Sequence, residues 1–135
     1  MNKKSFMKKV TALGLCGVLL ASQPAFAREG TIKDSYGNKL GDTYEAIGEH
    51  IVDAYTCSVK NANGQYTYKS QVKVHVYLVV DGQHVTEDLS KTTVAKSTTY
   101  ATIGKKYKPY QTVQTAAFTH IIWQSGKQYS QVYNL

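Results

Sequence analysis

Cysteine is scarce in this chain, arginine scarcer still, and no apolar run is long enough for a membrane helix. Each shortage excludes something. Cys16 stands inside the apolar stretch from Val10 to Ala21, so Cys57 is the lone thiol downstream of it and no disulfide can staple the domain that follows. Small domains in oxidising compartments often depend on disulfides; the chain beyond that stretch must stand on packing, and its odd thiol is buried, reactive or paired between chains. Cys16 follows Leu15 rather than the small residue that lipid attachment needs, which argues against a lipoprotein. Internal repeats, low-complexity tails, a wall-anchor motif, Gly-rich phosphate loops and nucleophile elbows are all missing from the sequence.

What is present begins with an export address. Lys3, Lys4, Lys8 and Lys9 form a positive n-region, the apolar run follows, and Ala25-Phe26-Ala27 offers small residues at positions −3 and −1 of a cleavage site. The pattern predicts a secretory signal peptide over residues 1–27, cut after Ala27, and a mature protein that is secreted or extracellular, free or associated with the cell surface. Four of the 16 Lys+Arg fall in this leader, so the mature chain keeps 12 against 9 Asp+Glu, a net charge of +3. That suits weak attraction to an anionic surface and is too small to argue for nucleic-acid binding.

The mature chain reads as strands. Residues 28–43 are polar and Gly-rich around Tyr36-Gly37-Asn38, and the reading is a polar irregular arm or a short edge hairpin ahead of a domain over 44–135. Asp42 to Tyr55 is ambiguous. Tyr44, Ile47, Ile51 and Tyr55 stand at helical spacing, but Gly48 and Ile51-Val52 oppose a helix, and a strand from about His50 to Lys60 is favoured. After the Asn63-Gly64 turn, Tyr66, Tyr68, Ser70, Val72, Val74, Val76, Leu78 and Val80 alternate with Thr67, Lys69, Gln71, Lys73 and His75, a half-buried antiparallel strand. At ~3.3 Å per residue it would run roughly 50 Å, so a bend near Ser70 or a bulge is expected. Asp81-Gly82 turns the chain, His84 to Lys91 reads as a polar connection, Thr92 to Ile103 as a strand, and Gly104 to Pro109 as a basic loop. A long strand over Tyr110–Trp123 would set Val113, Ala117, Ile121 and Trp123 on one face; Ser125-Gly126-Lys127 turns into a last strand carrying Tyr129 and Tyr133. Five or six strands with tight turns predict an all-β antiparallel β-sandwich, with a small closed barrel as the rival.

Candidate chemistry is thin. Thr56-Cys57 has the residue pair of an exported cysteine transpeptidase of the sortase type, but that chemistry needs an arginine near the oxyanion, and Arg28 lies at the start of the mature chain. A small core residue is the better reading of Cys57. His50, His75, His84 and His120 form no metal-ligand spacing, and Glu45, Glu49, Asp53, Asp81, Glu87 and Asp88 show no pairing that sequence can place across a cleft. The expectation is therefore a non-enzyme without cofactor or metal. Tyrosine stands out: all 11 lie beyond residue 27. Tyr serves strands and binding surfaces alike, since it pairs a large apolar face with a polar tip. Lys105, Lys106, Tyr107, Lys108 and Tyr110 form a basic loop interleaved with aromatics, and together with Trp123, Tyr129 and Tyr133 they are the candidate ligand-binding residues for a cell-envelope component or anionic surface. A dimer is open, through unprotected strand edges or through Cys57.

Ala101-Thr102-Ile103-Gly104-Lys105, followed by Ala117-Phe118 and Trp123, resembles the C-terminal part of the lactococcin bacteriocins of the non-pore-forming kind. The likeness covers about a quarter of the mature chain, and the two patches lie farther apart here than in that family. It implies a small secreted β-sandwich that needs no disulfide, binds the wall precursor lipid II and interferes with septum formation.

Overall fold

Eight antiparallel strands form two four-stranded sheets in this computed structural model, which describes residues 26–59, 69–95 and 98–135. They are β1 (Phe26–Lys33), β2 (Lys39–Gly48), β3 (Ile51–Ser58), β4 (Lys69–Val80), β5 (Gln83–Val94), β6 (Tyr100–Lys106), β7 (Gln111–Gln124) and β8 (Lys127–Asn134). Sheet A has the order β1-β2-β3-β6 and sheet B the order β5-β4-β7-β8. The signal segment up to residue 25, the Asn63-Gly64 turn, Tyr66 and Tyr68 lie outside the described residues.

The sheets face each other across an apolar core drawn from both. Ile47, Val52, Ala54, Ala101 and Ile103 of sheet A meet Val72, Val74, Val76, Leu78, Val113, Ala116 and Phe118 of sheet B. A satellite cluster of Ile32, Leu40 and Ile122, with Tyr129 against it, fills the β1–β8 side. Sheet A also buries its other face, where Tyr44, Ala46 and Tyr55 gather with Cys57 and Tyr100.

The strand count is eight, not five or six, and the surplus has two sources. Residues 28–43 are the hairpin alternative and not an irregular arm: β1 pairs with β2 from Phe26↔Ile47 to Lys33↔Lys39. The predicted cleavage point after Ala27 therefore falls inside β1, whose first four residues are exposed. The expected connection His84–Lys91 is most of β5, paired with β4 along all its 12 residues. Its side chains are largely exposed, so it carries no apolar signature. The ambiguous Asp42–Tyr55 stretch resolves into β2 and β3 around the Glu49-His50 turn. Gly104 to Lys106 belong to β6 rather than to a loop.

The irregularity expected in the long alternating strand is present but sits opposite it. Tyr77 pairs with Thr115 and Leu78 with Val113, which leaves Gln114 as an extra residue in β7. That bulge reverses the alternation of β7. Val113 points into the core while Ala117, Ile121 and Trp123 fall on the outer face, so the four residues assigned to one face are divided. Two hairpins close with residues at positive φ, Asp81 (51°) and Gly82 (78°), then Ser125 (52°) and Gly126 (74°), the mirror-type turns that match strand twist.

Candidate functional site

The eight residues singled out from the sequence fall in three places. Lys105 and Lys106 end β6, and Lys106, Lys108 and Tyr110 are exposed at one end of the sheets. Tyr107 between them is a core residue, 4% exposed, and burial with the neighbouring Glu87 carboxylate pushes its hydroxyl pKa up. Lys105 Nζ is 3.7 Å from Glu87 Oε1. The loop is clasped by the Glu49-His50 turn: Tyr107 N–H donates to His50 O (2.7 Å), Val113 N–H donates to Glu49 O (2.8 Å), and His50 Nδ1 meets Gln111 O at 2.8 Å. Tyr129 and Tyr133 lie on the inner side of β8. The Tyr133 ring stacks under the Arg28 guanidinium (3.8 Å) and stands 6.1 Å from the His120 ring. Trp123 is on the outer face of sheet B, with Lys69 Nζ 4.2 Å above its ring. No single site unites them.

Two constellations escaped the sequence reading. The first is buried. His120 on β7 and Glu45 on β2 are both fully inaccessible, with Nε2 2.5 Å from Oε1 across the sheet interface. Thr56 Oγ1 on β3 lies 2.8 Å from His120 Nδ1 and donates its proton to Gln71 O at 2.9 Å. A hydroxyl has one proton, so Nδ1 must be the donor to Thr56. His120 Nε2 then faces Glu45 Oε1, and Glu45 Oε2 has no hydrogen-bond partner. Thr, His and Glu are the residue types of a hydrolase triad, yet here the hydroxyl proton is committed to a backbone carbonyl and the group is sealed between the sheets. The arrangement is a cross-sheet tie.

The second is open to solvent. The outer face of sheet B carries Lys73, His75 and Tyr77 from β4, Thr86, Asp88 and Ser90 from β5, and Thr115, Ala117 and Thr119 from β7, aligned by register. His75 Nδ1 donates to Asp88 Oδ1 at 2.6 Å, which fixes the tautomer and turns Nε2 away from the carboxylate. The imidazole stands edge-on to Tyr77, with centroids 4.8 Å apart at 82°. Gln71 Nε2 donates to Ser90 Oγ at 3.2 Å. Two depressions flank this pair. One, about 410 Å³, is lined by Lys73, His75, Asp88, Ser90 and Thr119 together with Val74, Leu89 and Ala117. The other, about 470 Å³, is lined by Tyr77, His84, Thr86, Gln114 and Thr115 among others. The polar side of β4 is legible in the sequence; its β5 partners are not, because β5 gives no strand signal.

Cys57 is half-buried on the outer side of sheet A, where burial and the Asp42 carboxylate raise its thiol pKa to about 11. Among the described residues no group of three or more His, Cys, Asp or Glu is placed to hold a metal, and no helix is long and apolar enough to cross a membrane. No protein-family model matches this chain, and neither does any curated protein or solved structure.

Proposed function

We propose that the protein is an exported, non-enzymatic binding protein for an extended, hydroxyl-rich polymer of the bacterial cell envelope, held on the outer face of sheet B. The observation that carries the reading is the open row His75–Asp88–Tyr77 between two shallow depressions whose linings mix hydroxyl, amide and ammonium groups with apolar side chains. A carboxylate-oriented imidazole, an accessible aromatic ring and several hydroxyls are the group types that hold sugar hydroxyls and stack on sugar faces. Lys73 and Lys69 add attraction for anionic substituents. Export rests on the leader sequence. The basic end Lys106, Lys108 and Tyr110 remains a secondary contact.

The test uses protein secreted from the full-length gene, incubated with isolated cell wall and sedimented. Retention that falls with salt is expected, and His75→Ala/Tyr77→Ala/Asp88→Asn should abolish it at unchanged melting temperature. Unchanged retention by that variant would remove the proposed face. Loss on replacing Lys106, Lys108 and Tyr110 by alanine instead would move the site to the loop.

The resemblance to lactococcin bacteriocins supports a second reading, an antibacterial protein acting on a wall precursor. The stretch Ala101–Lys105 is in β6, while Ala117, Phe118 and Trp123 are in β7 of the other sheet. Growth inhibition of related strains by the secreted protein at low concentration is its readout.

A further inference from the structure

β5 is the outermost strand of sheet B, and along its 12 residues most side chains are exposed. It pairs with β4 without a bulge and contains no proline. At ~3.3 Å per residue it offers roughly 40 Å of backbone donors and acceptors on its free side. Such edges are normally shortened, bulged, covered or charged against self-pairing. β5 has charges, but they are arranged in a way that invites pairing with itself.

Only alternate residues of an edge strand present N–H and C=O outward. Two copies of one strand meeting antiparallel about a two-fold axis must therefore pair residues of equal parity. For β5 the two registers of greatest overlap centre on Asp88 and on Leu89. Centring on Asp88 sets two carboxylates face to face on the axis. Centring on Leu89 pairs His84 through Val94 with themselves in reverse. It sets Glu87, whose carboxylate also stands 3.7 Å from Lys105 Nζ of its own chain, opposite Lys91 twice, with Thr86 opposite Thr92, Val85 opposite Thr93, Asp88 opposite Ser90 and Leu89 meeting its own copy. Leu89 already packs against the core, so an apolar contact on the axis continues the core across the junction.

We propose that two copies of this chain associate through β5 in the register centred on Leu89, joining two B sheets into one antiparallel sheet of eight strands. The occupant of this edge is a second copy because the complementarity is internal to β5: opposite charges stand symmetrically about one residue, in the favourable one of the two fullest registers. The inference rests on the edge alone and stands or falls separately from any ligand on the outer face. If both hold, the two outer faces form one continuous surface.

The experiment is light scattering and sedimentation velocity of the secreted protein over a concentration series, with hydrogen exchange of the β5 amides. A dimer is expected, with β5 protection rising with concentration. Lys91 is exposed, so Lys91→Glu should fold normally. It sets a carboxylate against Glu87 at both symmetry-related positions, which weakens self-association at least about tenfold. Lys91→Gln removes the charge without reversing it and should weaken the dimer less than Lys91→Glu does. A protein that stays monomeric at the highest concentration overturns the proposal. So does a dimer indifferent to Lys91→Glu, or one in which β5 amides exchange at a concentration-independent rate.

Discussion

His120 Nε2 and Glu45 Oε1 lie 2.5 Å apart between the two sheets, and both side chains are fully buried. The pair separates the main core around Phe118 from the satellite around Ile122, since His120 stands between those residues on the inner face of β7. An isolated charge or unpaired imidazole there would be costly; the imidazole meets Thr56 through Nδ1 and Glu45 through Nε2, while Glu45 Oε2 has no hydrogen-bond partner. Glu45→Leu leaves the imidazole without its partner and should destabilise by about 3 kcal/mol or more in urea unfolding. The double replacement Glu45→Leu/His120→Leu removes both polar groups and should cost clearly less than the sum of the single changes. Strict additivity would mean that the two side chains are not coupled.

Gly41 is required by close approach. A Cβ there would collide with the Cys57 carbonyl oxygen on the paired strand and with Ile122 Cδ1 from the other sheet. One obstacle is backbone, so it cannot rotate away. Gly41→Ala should cost about 2 kcal/mol or more, above the usual penalty for overpacking at a yielding site. Gly37 and Gly82 have open space around a Cβ; any cost there comes from positive φ alone. A Gly41→Ala chain with wild-type urea midpoint would contradict the β2–β3 register.

Asp53, on β3, is 1% exposed, and burial raises its pKa from 3.8 to about 6. The folded-state value lies above the unfolded one, so between about pH 4 and 6 the native protein holds a proton that the unfolded chain releases. Stability from this residue is greatest below pH 4, falls as pH rises through 6, and the full cost of the buried carboxylate is present above it. Asp53→Asn cannot ionise. In the full-length chain it should raise stability at pH 7.5 by up to about 3 kcal/mol and leave it nearly unchanged at pH 4. A gain of equal size at both pH values would assign the effect to packing instead.

How far the fold could be read from the sequence depended on how many faces of each strand are buried. β4 buries Ser70, Val72, Val74, Val76 and Leu78 and shows the other side to solvent, so period-two alternation identifies it directly. β3 buries both faces, with Val52 and Ala54 inward and Asp53 and Tyr55 on the opposite side, so alternation is erased and a helical pattern competes. β5 buries almost nothing and therefore resembles a connection. In β7 the extra residue Gln114 shifts the phase, and no run of residue types announces it. The candidate site suffered for the same reasons. Asp88 and Ser90 could not be set beside His75 without recognising β5, and His120 met Glu45 through a contact spanning 75 residues of chain. The turn signals at Asp81-Gly82 and Ser125-Gly126 are local and were fully legible.

Cys57 offers a separate test of the non-enzymatic reading. Its Sγ is half-buried beside the Tyr44–Tyr55–Tyr100 stack, and its pKa of about 11 leaves roughly one thiolate per thousand molecules at pH 8. An unperturbed thiol would have a substantial fraction ionised at the same pH. The higher nucleophilicity of the less acidic thiolate offsets part of the lost ionised fraction, so reaction with a disulfide reagent at pH 8 should run about tenfold or more slower than that of an unfolded control, and denaturant should restore the ordinary rate. The rate should climb close to tenfold per pH unit up to about 11, the profile of a buried thiol with no activating base. Cys57→Ser should leave wall retention unchanged. A fast reaction at neutral pH would instead reveal a partner that holds the thiolate, and would bring nucleophilic chemistry or a bridge between two copies back into consideration for this residue.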